Sequence, residues 1–234
     1  MAKVKPYYQE EWASLYLANC LDILPQFGPG DADVILTDPP WPDYKVKGLV
    51  GSENALELFT QAAIHFPRIC DRLIVILRCD TDPRFLLSVP RDLKFQRLCW
   101  LRRTPPGYRG TLLINADIAY VFGPGWLADN GKRILPGEYL EGVSKGSRLP
   151  NTDHPCYRSE KHVAWLIGNY SRSGQTILDP FSGTGTTLIT AKSQGRKSIG
   201  IEIKKEYADF TVKRMRQSVM NFSSAALGDL KRGG

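Results

Sequence analysis

The sequence predicts an α/β fold: a doubly wound, mostly parallel sheet with helices on both faces and a loop-rich insertion. Three observations carry that prediction. Short apolar runs alternate with stretches of helical period along most of the chain. Two runs end in Asp-Pro, "LTDPPW" and "ILDPFSG", where proline stops a strand and leaves a carboxylate at its carboxyl end. Residues 102–150 break the alternation and are rich in Gly, Pro and Arg or Lys. The 234 residues fit one domain, organised as a half at 1–101, the insertion at 102–150 and a half at 151–234.

Each element has its own signal. "DVILTD" is a short, fully buried strand, and "SENALELFTQAAIHF" a helix opened by Ser52 as N-cap. "RLIVILR", "FQRLCWLR" and "DIAYVFG" are further strands, rich in branched and aromatic side chains. "EKHVAWLIGNYS" has helical period, and "QTILDP" returns to a strand. "TTLITAKSQG" is a helix ending at Gly195, "KSIGIEI" a strand, and "KEYADFTVKRMRQSVM" a long closing helix. The insertion has little periodicity and reads as loop.

Composition narrows the function. No apolar run approaches the roughly 18 residues of a membrane span, and "MAKVKPYYQE" lacks a signal-peptide core, so a cytoplasmic protein is expected. Five cysteines form no CxxC pair and are odd in number, which argues against a zinc cluster or a disulfide framework; no metal is expected. The net charge of +7 is uneven. Residues 1–101 carry a balance of −2, whereas 102–150 have 7 basic against 4 acidic residues and 192–234 have 10 against 4. Such basic stretches attract polyanions.

The segment "ILDPFSGTGTTLITAKSQGRKSIGIEI" joins a strand ending at Asp179, a glycine turn (Gly183, Gly185) and a helix beginning Thr186-Thr187. Glycines let backbone approach a ligand, and the helix start offers free N–H groups. Glu202 lies seventeen residues after Gly185, at the end of the next strand, where an acid can accept both hydroxyls of a ribose. The stretch lacks the third glycine of GxGxxG and the GK[ST] of a phosphate-binding loop. A nucleoside cofactor fits better than a nucleoside triphosphate.

"DPPW" (38–41) taken with "DPFSGTGTT…A…GR…GIE" resembles the S-adenosylmethionine-dependent amino-methyltransferases of DNA. The order, "DPPW" first and glycine loop second, resembles their beta class, a permuted arrangement. "LYLANCLDILPQF", "HPCYRSEKHVAWLI" and "EYADFTVKRM" are similar to further segments of that family. The resemblance covers residues 14–44 and 151–216 and implies a Rossmann-like methyltransferase sheet, with a catalytic half at 1–101 and a cofactor half at 151–234. It implies S-adenosylmethionine as cofactor, held by Asn19, Asp22, His154, Arg158, Asp179, Phe181, Ser182, Gly183, Thr184, Gly185, Thr186, Thr187 and Glu202. Asn19 stands where the family often has Asp, with Asp22 as a nearby substitute. Arg158 and Ser159 replace the family's Lys and Pro, and Arg158 keeps a positive charge for the cofactor carboxylate.

The chemistry gives "DPPW" its meaning. The lone pair of a base amino group is delocalised into the ring, and acceptors on its two hydrogens localise that pair toward a methyl donor. Asp38 supplies a carboxylate and Pro39 a carbonyl, while Pro39 and Pro40 hold the backbone extended. Trp41 offers a face for a base flipped out of the duplex; the competing reading is a core aromatic.

The insertion is the candidate target-reading segment, through Arg102, Arg103, Tyr108, Arg109, Lys145 and Arg148. It is short for that task, so a short recognition sequence or help from a second copy of the chain is expected. Double-stranded DNA is the expected partner, with nucleoid association when bound. Adenine N6 is preferred over cytosine N4 because the motif leads with Asp where many cytosine enzymes carry Ser. RNA adenine methylation, a nicotinamide-dependent oxidoreductase and a non-catalytic nucleic-acid binder are the alternatives.

Overall fold

The structure, a computed structural model, describes residues 4–42, 50–109, 111–124, 127–128, 131–132, 137–141 and 158–229. In chain order its strands are β1 (Tyr8–Gln9), β2 (Ala13–Leu17), β3 (Val34–Thr37), β4 (Leu73–Arg78), β5 (Phe95–Arg109), β6 (Leu112–Phe122), β7 (Leu127–Ala128), β8 (Gly131–Lys132), β9 (Glu138–Glu141), β10 (Thr176–Asp179) and β11 (Lys197–Glu202). Its α-helices are α1 (Cys20–Ile23), α2 (Ala55–Ala63), α3 (Phe66–Ile69), α4 (Glu160–Tyr170), α5 (Thr186–Ser193) and α6 (Lys205–Asp229). The main sheet runs β1-β2-β11-β10-β3-β4-β6-β5-β9, and β7 and β8 pair as a separate ribbon.

Strands β2, β11, β10, β3 and β4 pair in parallel, and β6 enters antiparallel between β4 and β5. The parallel centre is buried on both faces, which is why β3 and β4 read as unbroken apolar runs. Val34, Leu36, Ile74 and Ile76 pack with Val163, Leu166, Ile167 and Tyr170 of α4. Their alternates Ile35, Leu73, Val75 and Leu77 pack with Ala55, Phe59, Ala62 and Ala63 of α2. The alternation of a pleated strand thus builds two cores, one on each face.

The order has a functional consequence. Strands β10 and β3 are neighbours, with Ile177 opposite Val34 and Leu178 opposite Ile35. From β10 the chain crosses to β11 on one side, and from β3 to β4 on the other. Such a switch point opens a crevice at the carboxyl ends of the strands, the usual ligand position in open α/β sheets. Asp179 and Asp38 leave the sheet at this crevice.

Several expectations need correction. The predicted helix from Ser52 begins at Ala55, with Asn54 at its N-cap position. Gly51 turns the chain in the left-handed region (φ 84) just before it, and Ser52 is buried in that turn. The same helix does not run on through Phe66. It breaks after α2 because Pro67, lacking an N–H, sits in the first turn of α3. The insertion is not loop throughout. Residues 102–109 and 112–116 extend β5 and β6 as an antiparallel pair, with a register shift between Arg102 and Gly107. Pro105 and Pro106 fall in that irregularity, where a strand tolerates prolines. Lys145, Arg148 and His154 lie outside the described residues, as do the side chains of Tyr108 and Arg109. Among the described residues no helix is long and apolar enough to cross a membrane, and no group of three or more His, Cys, Asp or Glu could hold a metal ion.

Candidate active site

One cavity of about 410 Å³ opens at the switch point, and both predicted motifs line it. The β10 end contributes Asp179 and the glycine turn, the β3 end Asp38 to Trp41, and the β11 end Glu202.

The glycine turn is built by its own neighbours. Asp179 is buried, and its carboxylate accepts from the Phe181 N–H (3.1 Å) and the Thr187 hydroxyl (2.6 Å), tying the start of the turn to the first turn of α5. Gly185 has φ 76 and packs on Thr211 of α6; unlike Gly183, it does not line the cavity. Arg214, also on α6, donates to the Thr184 carbonyl (2.6 Å) and pairs with Glu160 of α4 (2.5 Å), holding the turn from behind. Phe181, Ser182, Thr184, Thr186 and Thr187 all line the cavity. Burial pushes the Asp179 carboxyl up to about 7, against the hydrogen bonds from Thr187 and Phe181.

Glu202 faces the cavity from the end of β11, beside Leu17 of β2, and accepts from the Lys204 N–H (2.8 Å). Burial lifts its carboxyl to about 7 as well. Asn19 lines the same end, and its side-chain oxygen caps α1 by accepting from the Leu21 N–H (3.0 Å). Asp22 does not substitute for it. It is exposed on α1, on the side away from buried Cys20 and Ile23, and does not line the cavity.

The half of the cavity formed at the β3 end departs furthest from expectation at Arg158. Its Nε donates to Asp38 (3.0 Å) and its Nη2 to both Asp38 oxygens (2.7 Å each), while Nη1 donates to Asp117 of β6. Arg158, expected to serve a cofactor carboxylate, is thus paired with Asp38 and Asp117 while also lining the cavity. Burial lifts the Asp38 pKa above the ordinary carboxylate value, with Arg158 opposing it, Asp117 adding to it and the Trp41 indole N–H favouring the charged form. Burial works against the Arg158 charge too, but Asp117 and Asp38 outweigh it and raise its pKa. Trp41 is 7% exposed and packs into the α2-side core. The guanidinium carbons of Arg158 and Arg78 stand 5.3 and 5.4 Å from its ring centre, yet the residue still lines the cavity. It is thus part core aromatic and part cavity wall.

Arg102 and Arg103 are exposed on β5, and Arg102 reaches Glu138 (3.4 Å) while Arg103 reaches Asp117 (3.0 Å). Sequence reasoning missed Asp117, Arg214, Thr211 and Tyr207, which lines the cavity near Glu202. Asp117 did leave a trace: a lone carboxylate in the apolar run "INADIAYVF" is costly to bury without a partner.

The profile of the DNA methylase family, N6 and N4 methyltransferases, matches residues 110–213. Type II methyltransferase M.ScaI of Streptomyces caespitosus is 43% identical over 72 residues, which cover 31% of this chain and 24% of that one. The putative methylase YubD of Escherichia coli K12 is 26% identical over 204 residues, 81% of this chain and 84% of its own. A crystal structure of M1.HpyAVI in complex with SAM superposes with a TM-score of 0.65 at 21% identity, covering 87% of this chain and 98% of that one, a likeness of fold.

Proposed function

We propose, from the match of the DNA methylase profile to residues 110–213, that the chain is a DNA amino-methyltransferase and transfers a methyl group from S-adenosylmethionine to an exocyclic amino nitrogen of a base in DNA. The observation that carries this is the meeting of Asp38 with the glycine turn and Glu202 in one cavity. The donor set fits the cofactor: a buried carboxylate at the rim for ribose hydroxyls, a glycine turn at a helix start, and an apolar wall from Phe181 and Ile201. S-adenosylmethionine supplies an electrophilic methyl on a sulfonium.

The chain's own residues do the rest. Asp38 and the Pro39 carbonyl accept the two amino hydrogens and turn the nitrogen lone pair toward the methyl. Asp38 would take up the proton that the nitrogen sheds on methylation and pass it to solvent. Orientation supplies most of the rate. Adenine N6 in duplex DNA, flipped out against Trp41, is the favoured target, on the strength of Asp rather than Ser at the head of the motif.

The test is a comparison of turnover and cofactor affinity. Asp38→Ala is expected to cut methyl transfer by about a hundredfold or more, as loss of a charged hydrogen-bond partner at a reacting centre does. S-adenosylmethionine affinity should stay nearly intact, because Asp38 belongs to a different strand from the turn. Mass spectrometry of the methylated nucleoside identifies the base. Calorimetry that finds NAD binding and no S-adenosylmethionine binding overturns the reading.

A further inference from the structure

Arg158 makes contacts that a cofactor residue does not need. Its planar fork grips both oxygens of Asp38 and is itself anchored on Asp117, a carboxylate only 2% exposed. Asp117 sits between two paired strands, opposite Leu101 of β5 and Arg78, the last residue of β4, and receives Arg103 as well. A carboxylate buried there is unfavourable unless it serves something, and what it holds is Arg158.

We propose, as an extension of the methyltransferase reading, that Arg158, anchored by Asp117, is the positioning residue that fixes the orientation and charge of the Asp38 carboxylate. Asp38 follows the last residue of β3, where its side chain has no strand partner to set its direction. A planar guanidinium matches a carboxylate edge to edge, which a lysine ammonium, a point charge, cannot do. Because Nη1 is held by Asp117, the fork cannot follow the carboxylate as it rotates, so the pair presents one fixed set of acceptor lone pairs to an incoming amino group. Without the guanidinium, Asp38 and Asp117 become two buried like charges, and the more easily protonated one loses its charge. Among the described residues, the charged groups about Asp38 are Arg158 before α4, Asp117 on β6, Arg103 reaching Asp117 from β5, Arg78 on β4 with its partner Asp80, and Asp179 at the end of β10, with Glu53, Glu57, Glu202 and Lys204 lining the same cavity.

Charge and orientation are separable by substitution. Arg158→Met removes both: turnover should fall, and the acid limb of the kcat–pH profile should move up by about one unit or more. Arg158→Lys keeps the charge and loses the fork: the limb should stay near its wild-type position while kcat falls about tenfold. Asp117→Asn removes the anchor and one like charge, so kcat should fall while the limb stays or moves down. In all three, S-adenosylmethionine affinity should change less than about twofold. The Asp38 carboxyl titration, followed by carbon-detected NMR in wild type and Arg158→Lys, reads the charge role without any turnover. It also separates the two proposals: absence of methyl transfer by the wild type sinks the function, whereas the titration still judges the Arg158–Asp38 pair. An Arg158→Lys protein with wild-type kcat and weakened S-adenosylmethionine binding overturns the inference and returns Arg158 to the cofactor. So does an acid limb unmoved in a folded Arg158→Met; if that variant does not fold, the lysine and Asp117→Asn variants decide.

Discussion

Glu202, the residue proposed to hold the ribose, shows how burial can make ligand binding depend on pH. Its carboxyl is lifted to about 7 chiefly by burial, with the Lys204 and Gly183 backbone N–H groups pulling it back and Asp179 adding to the rise. Between the unfolded value of about 4 and about 7, the folded protein holds a proton here that the unfolded chain has shed, so stability falls as pH rises through that window. Ligand binding runs the other way. In the proposed site, ribose hydroxyls would donate to the carboxylate and favour its charged form, so binding below pH 7 would release the proton. S-adenosylmethionine affinity should therefore tighten several-fold from pH 6 to pH 8, within the limit of about tenfold per unit for one proton. Calorimetry in two buffers of different ionisation heat measures both the affinity and the released proton. Glu202→Gln should be weaker throughout and nearly flat with pH; a wild-type affinity that falls as pH rises refutes this assignment. Trp41 makes a different residue-scale prediction, because it serves both core and cavity wall. Trp41→Phe should keep most of the fold and part of the affinity for DNA with an unpaired target base. Trp41→Ala should lose both, with stacking alone worth about 1–3 kcal/mol. A melting temperature beside each DNA titration separates the two losses.

The glycine turn and α6 form one mechanical unit. A Cβ at Gly185 would stand 2.3 Å from Thr211 Cγ2 and 2.7 Å from its Oγ1, with φ in the left-handed region. Gly185→Ala should cost about 1–3 kcal/mol in steric and backbone strain. For a chain of this size that lowers the melting temperature by roughly 2–4 °C per kcal/mol. Thr211→Ala removes the two closest atoms but leaves the backbone angle, so the double variant should recover only part of the loss. Full recovery would show that sterics alone set the glycine requirement. The strands and the turn were legible at this scale because their causes are local: β3, β4 and β10 are short runs buried on both faces, and each ends at a proline or a polar turn. The supports of the turn were not legible. Arg214 meets Thr184 from 30 residues away, and nothing in the helical period of α6 marks which cation faces inward. The extension of β5 past Arg102 was hidden by its prolines, which a register shift accommodates.

At the scale of the whole molecule, the two motifs are separated by about 140 residues and meet only because the sheet order places β10 against β3. Their types were readable from the sequence, and so was their sharing of one edge. The register that sets Asp117 within reach of Arg158 was not, since it depends on the antiparallel entry of β6 between β4 and β5. That register also links the charged face to the carboxylate proposed as catalytic: Arg103 on β5 touches Asp117, which holds Arg158, which holds Asp38. The link gives the two neighbouring arginines different expected behaviour toward DNA. Arg102 pairs with Glu138 at 3.4 Å across an exposed surface, a contact worth about 0–1 kcal/mol, so it is free to exchange that carboxylate for a phosphate. Arg102→Ala should therefore lower the slope of log affinity against log salt by about 0.9, one phosphate on duplex DNA, with turnover of bound DNA unchanged. Arg103→Ala should lower the slope less, because its charge is committed to Asp117, and should also slow turnover by loosening the anchor of Arg158. Binding titrations across a salt series, each with a single-turnover rate at saturating DNA, separate the two effects. Equal slopes and equal rates for both variants would detach this edge of the sheet from DNA and leave the arginines as solvated surface.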